Sequence, residues 1–444
     1  MTLPLLENTI DIIRAARDGD MHDRTVEICS QFNGEPILFR SIGMPDEIVV
    51  STPEAFEDVL KTQFRNFPKG SFMCENLKDL LGDGIFAADG SNSMTATIQR
   101  HAIVLFNILQ RASDSGETLD LFRLLNRFTF EAFAEIGFGV RMGCLDSDEE
   151  HPFQKAFDHA QRALLLRFIR PGWFWKTQRW LGLGVEGELK KDIEKALARR
   201  SPNSCGGANE GQDIVSLFLD STGSSPNAEN QQSDPMYLRD IVVNFLIAGR
   251  DTTAQTLSWF FLNLTKNPHV ETAIRSEIME KFHETGVEGT DATNATMQDV
   301  SQLVTLEAAL KETLRLHPPV PMVPKYAKSL IVLATYAMAR MQQVWGPAAA
   351  EFKPERWIDS TTGKLVSVSP YKFASFNAGP RLCLGMNLAM LEMKLVVVGL
   401  LSRFHIEVQD PEKVTYEVSL TLPVKGSLDV KISRATSPTE PAFA

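Results

Sequence analysis

Residues 237–267, YLRDIVVNFLIAGRDTTAQTLSWFFLNLTKN, are apolar on nearly every face, and Pro268 follows them. Read as a helix, the run spans about 45 Å at about 1.5 Å per residue, enough to cross a whole domain. Two more helical patterns accompany it. LVTLEAALKETLRLHPP (303–319) is stopped by Pro318 and Pro319, neither of which can continue a helix. Leu384, Leu388, Leu391, Leu395 and Val398 recur at helical spacing. Strand-like text is scarce. PILFRSI (36–42) and DEIVVS (46–51) read as one hairpin, and YEVSLTLPVKGSLDVKI (416–432) as another. Pro- and Gly-rich breaks fall at 33–45, 82–90, 201–211, 221–235 and 317–325, and no internal repeat is present. Residues 201–212 and 221–235 read as loose loops around a short helix-like piece, DIVSLFLD. The expected architecture is mainly α with small β-sheets.

A chain of 444 residues has ample length to bury a core around an internal ligand. With 43% hydrophobic and 23% charged residues it has the composition of a soluble globular protein. A net charge of −11 argues against a nucleic-acid role, which favours a basic surface. The cysteines are Cys29, Cys74, Cys144, Cys205 and Cys383. They are odd in number and too far apart for a zinc or iron–sulfur motif, and they suggest a reducing compartment. No apolar run approaches the roughly 20 residues of a membrane-spanning helix, and no secretory signal pattern is present. LVVVGLL (395–401) fits a core element.

The chemistry concentrates in FNAGPRLCLG, residues 376–385. Gly379 and Pro380 prevent regular structure before Cys383, and Gly385 lets backbone approach closely. The cysteine is therefore expected on a loop at the start of a helix. There, free N–H groups and the helix dipole favour a thiolate, which is a metal ligand or a nucleophile. Arg381 adds a planar cationic fork suited to carboxylates, and Phe376 an aromatic wall. For the other four cysteines the expectation is a buried free thiol. A nucleophilic cysteine needs a partner histidine, and the nearest in sequence are His317 and His405. One thiolate beside one cationic fork instead suits an iron porphyrin, with sulfur in the axial position and arginine on a propionate.

This stretch resembles the haem-ligand signature of the cytochrome P-450 family, the haem-thiolate monooxygenases, at Phe376, Gly379, Arg381, Cys383 and Gly385. AGRDTT (248–253), midway along the long helix, is similar to the family's oxygen-activation motif. There Gly249 removes a side chain and leaves space for a small ligand. The Thr252 hydroxyl can bond back to the Ala248 carbonyl and loosen the helix. Asp251 is an expensive charge in an apolar helix unless it has a use, and together Asp251 and Thr252 would pass protons to iron-bound dioxygen. The alternative is that Asp-Thr-Thr caps a second helix and cuts the run in two. Glu312 and Arg315, at i and i+3, can pair as an ordinary solvated surface bridge. They also match the family's E-x-x-R element. By the same resemblance Arg356, in FKPERW (352–357), completes a buried triad behind the cysteine loop. GLGVEG (182–187) has dinucleotide-site spacing, but WKTQRWL precedes it where such a site needs a strand.

PLLENTIDII near the start resembles the segment after the membrane anchor of microsomal members. NLKDLLGDGIFAADG (76–90) and TLPVKGSLDVKI (421–432) resemble plant, fungal and related fatty-acid ω-hydroxylases. The resemblance implies one haem domain over 1–444 that binds haem b, iron protoporphyrin IX, with Cys383 as the metal ligand. It implies a monomer that takes electrons from a separate NADPH-dependent flavoprotein reductase and uses O2. A hydrophobic small molecule, a fatty acid, is the expected substrate, and the cytosolic face of the endoplasmic reticulum membrane the expected location. Three departures from the pattern stand out. Met1 begins where the globular part is expected to begin, so the anchor is expected to be missing. Near 90–94 the family's helix with a Trp and an Arg for haem propionates is not found; the first tryptophan is Trp173, and Arg100 is a weak substitute. At 322–335 the interval between Arg315 and Tyr336 is too short for the expected cavity hairpin, with Lys325 the nearest basic residue. A non-catalytic remnant or misassembled chain that keeps the fold but binds haem poorly is the rival reading. A haem-thiolate isomerase or dehydratase is a third, against which the Asp251–Thr252 pair argues.

Overall fold

The computed structural model describes residues 8–68, 91–138, 141–146, 161, 164, 166–167, 170–188, 235–284, 295–327 and 329–435. The loop read at 201–212, residues 221–234 of the loop read at 221–235, the segment 76–90, and Cys74 and Cys205 lie outside the described residues, while Pro235 opens a helix. Among the described residues the main helices are α1 (Thr9–Asp18), α2 (Met21–Gln31), α3 (Ser91–Ser115), α4 (Leu121–Phe138), α5 (Gly172–Leu181), α6 (Pro235–Lys266), α7 (Pro268–Glu284), α8 (Met297–Ser301), α9 (Val304–Leu316), α10 (Thr335–Arg340) and α11 (Met386–Leu401). The long apolar run is one continuous helix, α6, about 48 Å long at about 1.5 Å per residue. Asp251-Thr252-Thr253 therefore does not cap a second helix.

The helices gather around one large apolar core. Leu257, Phe260 and Phe261 of α6, Leu125 and Phe128 of α4, Leu105 and Leu109 of α3, Leu310 of α9, and Val396 to Val398 of α11 are all buried in it. Helix α11 is buried on every face from Leu391 to Leu401, as expected for an element surrounded by other helices. Close approach is made possible by glycine. At Gly399 a Cβ would lie 2.1 Å from the Phe106 ring of α3, so the ring occupies that volume. Cys29 and Cys144 are buried free thiols, as expected of small apolar side chains.

Two small sheets flank the helices. The first has the order β1 (Ile37–Phe39), β2 (Glu47–Val50), β5 (Leu330–Leu333), β4 (Val323–Tyr326). Its β1–β2 hairpin was legible in sequence. The interval between Arg315 and Tyr336 carries a tight hairpin, Val323–Tyr326 antiparallel to Leu330–Leu333, and β5 also runs parallel to β2. Lys325 is buried on that hairpin. One strand assignment needs correction. At the C-terminal end, residues 416–432 do not form a self-contained hairpin. Tyr416 and Val424 meet at a single bridge, while β7 (Asp429–Arg434) pairs with β6 (Phe404–Val408) and with β3 (Leu119–Asp120). The alternating Phe404, Ile406 and Val408 point inward from β6, and that buried face decides the pairing.

Candidate haem-thiolate site

Glu312 and Arg315 of α9 are not a surface pair, since their side chains are 0% and 1% exposed. Arg315 donates from Nε and Nη2 to the two Glu312 oxygens, each at 2.8 Å. Three further donors converge on the same carboxylate: Lys353 N at 3.0 Å, Arg356 Nε at 3.3 Å and Trp357 Nε1 at 2.8 Å. The arginines spend their remaining N–H groups on backbone carbonyls. Arg315 reaches Ala339, Ala349 at 2.7 Å and Glu351 at 3.1 Å. Arg356 reaches Trp345 at 3.0 Å and Ala348 at 2.9 Å. A buried charge is tolerated only when its partners and hydrogen bonds are this complete.

The network touches the cysteine segment at two places. Trp357 packs edge-on to Phe373, with centroids 4.8 Å apart, and Phe373 edge-on to Phe376 at 6.4 Å. The Ser375 hydroxyl donates to the Leu314 carbonyl of α9 at 2.7 Å. From there the loop closes on itself, because Cys383 N donates to the Phe376 carbonyl at 2.8 Å. Phe376 thus acts through its backbone as well as its ring. Gly379 has φ +60°, and a Cβ there would lie 2.5 Å from the Leu60 carbonyl. Its requirement is therefore a left-handed turn pressed against neighbouring backbone. At Gly385 the reason expected for glycine is not met. Its φ is −80°, and a Cβ would sit 3.9 Å from the Cys383 sulfur, an ordinary contact.

Cys383 lies three residues before α11, on the exposed stretch Arg381–Gly385. The backbone N–H groups of Gly385 and Met386 bond its sulfur, as the helix-start argument requires. Yet the balance differs from the expected thiolate. The sulfur is set among protein atoms although the residue has open surface, and burial raises its thiol above the ordinary value, outweighing those two N–H groups. A bound cation would reverse that balance, because a coordinating thiol is deprotonated outright. Arg381 is exposed, with its guanidinium 5.5 Å from the Phe64 ring. Among the described residues no three His, Cys, Asp or Glu side chains gather around a common point. What the loop offers is one soft donor steadied by two N–H groups, flanked by exposed Leu382 and Leu384, with the exposed Arg381 guanidinium beside it. That donor set fits an iron porphyrin, which needs one axial thiolate, an apolar bed and a cation for a propionate.

On α6 the Thr252 hydroxyl donates to the Ala248 carbonyl at 2.6 Å, the back-bond anticipated from sequence. Ala248 is exposed and Thr252 partly so, while Arg250, Asp251 and Thr253 are buried. Asp251 lies 3.4 Å from Arg250 Nε and accepts a short hydrogen bond from Gln161 Nε2. Gly249 requires a correction. A Cβ there would meet the Phe133 ring at 2.1 Å, so the volume it frees is filled by α4 and not left for a small ligand. Arg100, only a weak substitute in the sequence, pairs with Glu135 of α4 together with His101 and Arg141. GLGVEG follows a helix, α5, whose C-cap is Gly182 in the left-handed conformation. Its Glu186 forms a buried bridge to Arg167 at 2.7 Å, and no strand precedes it.

Three participants escaped sequence reading: Trp357, Ser375 and Gln161. Trp357 lies inside FKPERW. Gln161 is 90 residues from its partner and carries no local signal.

The cytochrome P450 family profile matches residues 85–429 of the chain. Among curated proteins, the chain is 34% identical to cytochrome P450 86B1 of Arabidopsis thaliana, over 89% of the chain and 79% of that protein. It is 34% identical to cytochrome P450 CYP94D108 of Paris polyphylla, over 87% and 84%. To cytochrome P450 94C1 of Arabidopsis thaliana it is 35% identical, over 87% and 84%. The chain belongs to the cytochrome P450 family of haem-dependent monooxygenases.

Two substitutions check the geometry. Glu312→Gln leaves two arginines without their counter-charge and is expected to lower unfolding free energy by about 3–5 kcal/mol in a denaturant titration. Gly249→Ala drives a methyl into the Phe133 ring and is expected to cost about 1–3 kcal/mol. Phe133→Leu in the same chain is expected to recover part of that loss.

Proposed function

We propose that this member of the cytochrome P450 family is a single-domain, monomeric monooxygenase over residues 1–444 that binds haem b and hydroxylates a hydrophobic substrate, a fatty acid. The observation carrying this reading is the Cys383 loop, fixed through Ser375 and Phe376 to the buried Glu312 network. Bound there, haem supplies the activation of O2 that places one oxygen atom into a C–H bond. Cys383 would hold the iron through its sulfur, and Arg381 would pair a propionate. Asp251, a carboxylate paired with Arg250, would pass protons within the α6 turn, and Thr252 would present a hydroxyl beside it. The Thr252 back-bond to Ala248 keeps that hydroxyl in a fixed rotamer. Fatty acid as substrate rests on the resemblance of 76–90 and 421–432 to ω-hydroxylases.

Electrons come from an NADPH-dependent flavoprotein reductase. A groove of about 490 Å³ beside the cysteine loop supports this, lined by Phe376, Leu382, Met386, Met390, Lys311 and Lys394. It brings a partner surface to the loop that carries the sulfur. We place the protein on the cytosolic face of the endoplasmic reticulum membrane. Among the described residues no helix is long and apolar enough to cross a bilayer. Helix α5 supports a surface contact. Trp173 and Trp180, two turns apart, are 68% and 81% exposed, and Leu181 and Leu183 are exposed beside them. The same helix carries Lys176 and Arg179 and no acid. Exposed aromatics with basic neighbours are the composition of a helix lying in a lipid interface.

The expected outcome with reductase, NADPH, labelled O2 and a long-chain fatty acid is a hydroxylated product carrying one labelled oxygen, seen by mass spectrometry. Asp251→Asn is expected to lower kcat by about a hundredfold or more; an unlabelled product or an unaffected rate contradicts the reading. Flotation with phosphatidylcholine–phosphatidylserine vesicles is expected to retain the protein. Changing Trp173 and Trp180 together to Ala is expected to weaken that retention at least severalfold.

A further inference from the structure

Glu392 stands in the most apolar part of the sequence, within LAMLEMKLVVV of α11, and it is 4% exposed. One of its oxygens, Oε1, has no hydrogen-bond partner. The carboxyl instead meets the Thr253 hydroxyl of α6, adjacent to Thr252. Burial pushes this carboxyl up to about 8, and the Thr253 hydroxyl is the one group that opposes the rise. The charged groups on neighbouring elements are engaged elsewhere. On α6, Asp251 faces Arg250 and Gln161. On α9, Glu307 takes Lys311 and Lys394, each at 2.7 Å. On α3, Arg100 and His101 face Glu135, and on β6 His405 faces Glu271.

The position matters as much as the protonation state. Helix α11 begins three residues after the sulfur of Cys383. Helix α6 carries Asp251 and Thr252. The Glu392–Thr253 contact joins these two elements through polar side chains. We propose that Glu392 is a positioning residue: its buried carboxyl accepts from the Thr253 hydroxyl and so sets the cysteine helix in register with the turn that carries Asp251 and Thr252. The positioning role rests on the monooxygenase reading; the protonation state does not.

Stability tests the protonation state. A glutamate that is neutral when folded and ionised at about 4.5 when unfolded lowers stability as pH rises from that value to about 8. Glu392→Gln lacks this penalty. Its gain in Tm over the wild type is expected to grow across that window and level off above it. A flat difference, or a loss that deepens with pH, overturns the proposal. The register is tested by coupling. Glu392→Leu and Thr253→Val are expected to lower hydroxylated product per NADPH at least severalfold. The KM for the fatty acid and the absorption of the reduced carbon monoxide complex are expected to stay unchanged. Glu392→Gln keeps an acceptor for the Thr253 hydroxyl and is expected to restore coupling. Wild-type coupling in Glu392→Leu, or no rescue in Glu392→Gln, overturns the proposal. A wild-type protein that takes up haem but yields no oxygenated product overturns the monooxygenase reading instead, and leaves the stability result standing.

Discussion

Five hydrogen-bond donors converge on the Glu312 carboxylate, and the placement of the cysteine loop depends on them. Transfer of a carboxylate and two guanidinium groups into the interior costs several kcal/mol per ion. The offset lies in completeness: two arginines, an indole and a backbone amide meet the carboxylate, and the spare arginine N–H groups cap carbonyls of 339–351. A network of this kind tolerates little displacement, because any lost partner leaves a charge stranded. The strip from Trp357 through Phe373 to Phe376, with Ser375 on the Leu314 carbonyl, passes that rigidity to the loop.

The rigidity serves a sulfur that is poorly suited to be a free thiolate. Burial raises its thiol, and two backbone N–H groups only partly oppose this. A site so balanced favours the thiol alone and the thiolate once a cation is bound, which links deprotonation to metal capture. On α6 the Thr252 hydroxyl back-bonds to the Ala248 carbonyl, while Asp251 is tied to Arg250 and Gln161. Glycine brings the helices together, with the Phe133 ring over Gly249 and the Phe106 ring over Gly399. Such contacts resist both added and removed volume.

Features that depend on neighbours in sequence were legible in the text. The continuous α6 helix, the β1–β2 hairpin, the Thr252–Ala248 bond and the Glu312–Arg315 pair all follow from spacings of one to four residues or from an unbroken apolar run. Features set by distant partners were not. Gly249 reads as empty space until Phe133 of another helix fills it. Arg100 reads as available until Glu135 of α4 binds it. Strand β7 leaves its own neighbours for β6 because the inward face of Phe404, Ile406 and Val408 needs a cover. The sulfur reads as a thiolate from its helix start alone, whereas burial, invisible in sequence, reverses the sign.

The most direct measurement is the absorption spectrum of the reduced protein with carbon monoxide, recorded for the wild type and for Cys383→Ser. Sulfur ligation predicts the red-shifted Soret band of a thiolate-bound haem in the wild type and its disappearance in the serine variant. An unchanged band in that variant, or a wild-type band at the position of nitrogen-ligated haem, would contradict the account.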